Sequence, residues 1–149
     1  MSVGERDAFS GLLTSLIVAV MFYNSLTGQY AAGAFDGADG LMIWARVVLW
    51  LVGYGIGVAI AVAIVFTIVY VILTGEKKPS ELRDERDRMI EHRGTRIGSS
   101  LTATGLLAVI IDMAWGNSTF HALNLLLIGL SLSEIVKDTF KIICYRRGF

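Results

Sequence analysis

The chain is expected to be an all-α polytopic membrane protein: four transmembrane helices in one antiparallel bundle that takes up residues 1–149, with both termini cytoplasmic. Three observations carry that expectation. Hydrophobic residues fill 54% of the 149 positions and mean hydropathy is +0.63, well above an ordinary soluble domain. Four apolar runs are each long enough to cross about 30 Å of hydrocarbon, which takes roughly 20 helical residues, and a helix pairs its own backbone groups where lipid offers no partner. Charge is also segregated: of 13 Lys and Arg, seven lie between Lys77 and Arg96, four between Lys137 and Arg147, and the remaining two are Arg6 and Arg46.

The first run covers 8–30. Glu5 and Asp7 spoil the basic start that a secretory leader needs, so it is expected to be a retained helix rather than a leader cleaved near Ala32-Gly33-Ala34. AAGAFDGADG then makes a Gly/Ala/Asp loop. The second run, 41–74, exceeds a perpendicular crossing, so it tilts or projects; Trp44 and Trp50 suit one interface and Tyr70 the other. Its Val, Ile and Ala would suit strands in water, but the uninterrupted length argues for a helix. Lys77-Lys78-Pro79-Ser80 ends it and offers Ser80 as the cap of the next helix. The third run is 97–115 and the fourth 120–143. Gly116-Asn117-Ser118, with Thr119 as a second cap, joins them so tightly that they should be antiparallel neighbours. Keeping the amino terminus, residues 76–96 and the carboxyl terminus on the cytoplasmic side satisfies the positive-inside rule.

Residues 83–96, RDERDRMIEHRGTR, pack ten Arg, Asp, Glu and His side chains into fourteen positions. The spacing predicts helical pairs of Asp84 and Glu85 with Arg88, on an interfacial helix or an extension of the third span that Gly94 could bend. Mixed charge of this kind is a solvated face or a docking surface, with Arg83, Asp84, Glu85, Arg86, Asp87 and Arg93 as interaction candidates and anionic lipid as a further contact. Asp84-Glu85-Arg86-Asp87, followed by Ile90, Arg93, Arg96 and a Gly/Ser-rich apolar helix, resembles a motif of uncharacterised small bacterial four-helix inner-membrane proteins. The resemblance covers about twenty residues. It implies a bacterial inner-membrane location and brings no established activity with it.

An ionisable group inside a span costs enough to invite a functional reading. Asp112 follows Gly98 and Gly105 at seven-residue steps on the third run, and Arg46 precedes Gly53 and Gly57 on the second. These glycines let helices approach closely. Arg46 and Asp112 lie at matching depths near the outer ends of their helices, which predicts an ion pair between them, with snorkelling of Arg46 into headgroups beside Trp44 and Trp50 as the alternative. Asn24, His121 and Asn124 reach the same level and complete a candidate polar or ligand cluster. Glu134, Lys137, Asp138 and Lys141 pair locally at the other end.

No HExxH, GxSxG or phosphate-binding loop is present, so no enzymatic activity is expected. The single Cys144 and the lack of Cys/His spacing leave no expected metal or cofactor, and the balance of carboxylates and cations argues against nucleic acid. The sequence favours a membrane-embedded accessory or interaction protein, with the bilayer and a membrane-protein partner or a homo-oligomer as its contacts. Two alternatives stay open: a small oligomeric transporter or channel using the outer polar cluster, and a sensor of extracytoplasmic pH or a small ligand.

Overall fold

The computed structural model describes residues 3–75 and 84–147, and within them every regular element is a helix: α1 (Val3–Ala31), α2 (Gly40–Thr74), α3 (Glu85–Ala114) and α4 (Thr119–Arg147). Each is long and apolar enough to cross a bilayer. Side chains that a soluble protein would bury point outward along all four, Trp50 at 72% exposure among them. Such a surface suits hydrocarbon rather than water. The chain is therefore read as a multi-pass membrane protein.

Helix ends follow local chemistry. Gly75 closes α2 at φ 69°, a left-handed conformation glycine adopts freely, and its amide donates to the Val71 carbonyl. Asp84 caps α3 by accepting from the Glu85 amide at 2.7 Å. Ser80, Arg83 and Lys77-Lys78-Pro79 lie outside the described residues. From Glu85 the helix continues without a break through Gly94 to Ala114, so the described part of the charged stretch is an extension of the third apolar helix rather than a separate one. The α3–α4 turn uses Gly116 at φ 83°, and the Ser118 hydroxyl caps α4 by accepting from the His121 amide at 3.2 Å.

The helices pack in the order α2, α1, α4, α3, an open row rather than a closed square: α1 packs on α2 and α4, α3 packs chiefly on α4, and α2 has no packed interface with α3. Along α3 and α4 the contacts climb one helix as they descend the other. The Gly94 backbone meets the Lys141 side chain, Gly98 meets Lys137, Gly105 meets Gly129, and Asp112 meets His121. Between these lies a hydroxyl bridge. Ser133 Oγ donates to the Gly98 carbonyl oxygen at 2.9 Å, so the Thr102 hydroxyl, 2.8 Å away, donates to Ser133.

The α1–α4 seam uses the same device from the other side. Gly4 faces Tyr145 and Gly11 faces the Asp138 carboxylate, with Ala8 buried between them. At the far end Phe35, buried in the α1–α2 loop, stacks 5.8 Å from Phe120 and 6.2 Å from Tyr30, centroid to centroid. α2 rests on α1 through Gly55, which receives Val18, and through Tyr70, whose ring lies 5.5 Å from the Arg6 guanidinium carbon.

Candidate functional site

The outer cluster expected from the sequence divides into separate places. At the turn end, the Asp112 carboxylate sits 2.9 Å from His121 Nδ1 and accepts from Asn117 Nδ2 at 2.6 Å. Asn124, one turn beyond His121 on α4, instead accepts from Trp44 Nε1 of α2 at 3.1 Å. Arg46 is exposed and makes no side-chain bond among the described residues. The predicted Arg46–Asp112 pair is therefore absent, because α1 and α4 stand between α2 and α3 in the row. Asn24 is exposed as well, and its side chain bonds to none of the other four. An apolar groove of about 450 Å³ lies beside the Trp44–Asn124 contact, walled by residues of α1 and α4 such as Phe22, Leu26, Leu127 and Ile128.

His121 and Asp112 should be coupled and Arg46 should not. Asp112→Asn combined with His121→Gln is expected to lower the thermal midpoint by less than the two separate losses together. Asp112→Asn combined with Arg46→Gln should give the full sum, because distant independent sites add. Additivity in the first cycle, or coupling in the second, would reverse the assignment.

The four glycines chosen for helix packing also divide. Gly98 lies against the Lys137 stem, where an added Cβ would come within 3.3 Å, and Gly105 meets Gly129 backbone at 3.6 Å. Gly53 and Gly57 have open space, with no atom within 4 Å of an added Cβ. They pack against no other described residue. Their side of α2, with Arg46, Trp50, Ile60 and Ile64 at compatible helical steps, is exposed from one end to the other.

At the charged end the candidates take several roles. Asp84 is a cap, Asp87 is buried beside Gly4, and Arg86 donates to the Tyr145 carbonyl at 3.3 Å, tying α3 to the end of α4. Glu85 and Arg93 are exposed. The pairs expected of Arg88 with Asp84 and Glu85 are not formed, since Asp84 turns back to cap the helix. Lys137 pairs with Glu134 locally. Lys141 does more: it sits 3.5 Å from Asp138 on its own helix and 2.8 Å from Glu91 across on α3.

This cross-helix triad escaped a reading confined to single helices. Its signal was the match between Gly94 and Gly98 on α3 and Lys141 and Lys137 on α4, which recur at similar spacings. Each glycine makes room for the stem of a lysine, so the charged head reaches beyond it. Among the described residues no group of acidic, His or Cys side chains is placed to hold a metal ion. No protein-family model, curated protein or solved structure matches the chain.

Proposed function

We propose that the protein is a membrane-embedded interaction protein of the bacterial inner membrane, crossing four times as an antiparallel bundle with both termini cytoplasmic, and that α2 is the helix that engages a partner. The single observation carrying this reading is the open stripe of Gly53 and Gly57. Lipid is as apolar as a leucine side chain, so exposed apolar surface alone does not draw helices together in a bilayer. Close backbone approach does, and glycines four residues apart provide it. Inside this chain the other close-packing glycines of α3 are filled, whereas this pair is not. Arg46, on the same side and without a bond to any described residue, adds a polar group that a partner can satisfy.

A transport path finds less support. The Asp112 group and the Thr102–Ser133 bridge are separated by the Gly105–Gly129 contact, where the two backbones close on each other. The Asp112 carboxylate is also satisfied within its own hairpin, as a structural tie would be.

Purification in mild detergent followed by mass spectrometry tests the proposal. A stoichiometric membrane partner, or a second copy, is expected on the unmodified chain and should be lost from the Gly53→Leu/Gly57→Leu variant while helical content and thermal midpoint are retained. A monomer without a partner, or a partner kept by the variant, would sink the reading.

A further inference from the structure

The first turns of α3 carry a cationic face on the opposite edge of the row from α2. Arg88, His92 and Arg96 recur every fourth residue and Arg93 stands beside them, all turned away from the buried Asp87, Ile90, Gly94 and Gly98. All four side chains are exposed, and none bonds to a described residue. The neighbouring carboxylates are engaged elsewhere: Glu91 with Lys141 at 2.8 Å, Asp87 in the helix interface, and Asp84 in the cap. Glu85 and the capping Asp84 are the exposed carboxylates on the described part of this face, so three arginines outnumber them.

Two recesses adjoin these cations. One, of about 400 Å³, is formed by Arg88, Met89, His92 and Arg93. The other, of about 420 Å³, starts at Arg96 and runs along Ile97, Ser100, Leu101 and Thr104 to Val136 of α4. Ser100 and Thr104 each donate their hydroxyl to the carbonyl one turn back, at 2.9 and 3.0 Å. With those hydroxyls turned to the backbone, the second recess is predominantly apolar. Depth agrees as well. From Arg96 to Trp115 the helix climbs about 28 Å at about 1.5 Å per residue, close to the roughly 30 Å of a hydrocarbon core. With Trp115 at one interface, Arg96 reaches the phosphate level of the other.

We propose that this face is a binding site for one anionic phospholipid: its phosphate lies on Arg93 and Arg96, with Arg88 and His92 flanking, and an acyl chain occupies the groove of Ile97, Leu101 and Val136. Arginine suits the task because its planar fork donates two parallel hydrogen bonds to phosphate oxygens and is weakly hydrated. A groove continuing from the headgroup into apolar side chains distinguishes a lipid from a free anion, which needs no groove. The site does not depend on α2, and its failure would leave the partner helix untouched.

Native mass spectrometry of the full chain in detergent micelles decides it. The titrants are dioleoylphosphatidylglycerol, dioleoylphosphatidylcholine and inorganic phosphate. Phosphatidylglycerol is expected to bind about tenfold or more tighter than phosphatidylcholine. Arg93→Gln/Arg96→Gln, which alters exposed side chains, should abolish that preference. Arg146→Gln/Arg147→Gln, which removes the same charge at the end of α4, should keep it. Val136→Phe fills the groove without changing charge and should weaken phosphatidylglycerol binding severalfold. Equal affinity for the two lipids, a preference surviving Arg93→Gln/Arg96→Gln, or full affinity in Val136→Phe would each overturn the proposal. Competition by inorganic phosphate as effective as that by the lipid would assign the arginines to a free anion instead.

Discussion

Lys141→Met should destabilise the protein by about 3–5 kcal/mol, the range for removing one partner of a buried ion pair and leaving the other charge behind. Lys141 and Asp138 are 7% and 5% exposed, and the ammonium stands 3.5 Å from that carboxylate and 2.8 Å from Glu91. Methionine matches the length of the lysine stem that lies over Gly94, so packing is largely kept while the charge goes. The carboxylate of Asp138 is then enclosed between α4 and the Gly11 backbone of α1 without its nearest cation. Adding Asp138→Asn removes the stranded charge and should recover a large part of the loss. Reversible unfolding in mixed micelles measures both. A loss below about 1 kcal/mol for Lys141→Met, in the range of a surface pair, would show that water reaches this triad.

Gly11→Leu should separate α1 from α4. A Cβ at position 11 would overlap the Asp138 carboxylate, and the larger side chain has nowhere to go unless the helices part. Overpacking of this kind costs about 1–3 kcal/mol, occasionally more. The upper end applies here, because relief requires moving a carboxylate that Lys141 also holds. Gly53→Leu is the matched comparison: the same substitution, on a helix, meeting no atom within 4 Å. Its effect on the thermal midpoint should be small and set by helix propensity, where leucine exceeds glycine. Equal losses at positions 11 and 53 would mean that the α1–α4 seam is not where the structure puts it.

The contrast between these glycines separates what the sequence contained from what the fold added. Gly53-x-x-x-Gly57 and Gly94-x-x-x-Gly98 share the recognised spacing, yet the first pair is unfilled and the second receives lysine stems, while Gly11, which belongs to no such pair, receives the Asp138 carboxylate. Spacing reports which residues share a helix face. It does not report which helix, if any, lies opposite. The same limit explains Arg46 and Asp112, whose matching depths predict a pair that does not form: depth follows from position along each helix, but adjacency is a property of the row.

Helix identity and the tight turn followed from the sequence, although the pairs expected of Arg88 with Asp84 and Glu85 within α3 did not form. Four long apolar runs made four helices of membrane length, because a backbone without water must pair with itself. Gly116, Asn117 and Ser118 made the α3–α4 turn, and that short connection brought Asp112 and His121 together. Tertiary structure decided the order α2, α1, α4, α3, and with it the Trp44–Asn124 bond, the Lys141 triad and the open face of α2. The physical reason is that hydrophobicity drives helices into lipid without favouring any neighbour once they are there. Their pairing rests on close contacts and buried polar bonds between residues far apart in the chain.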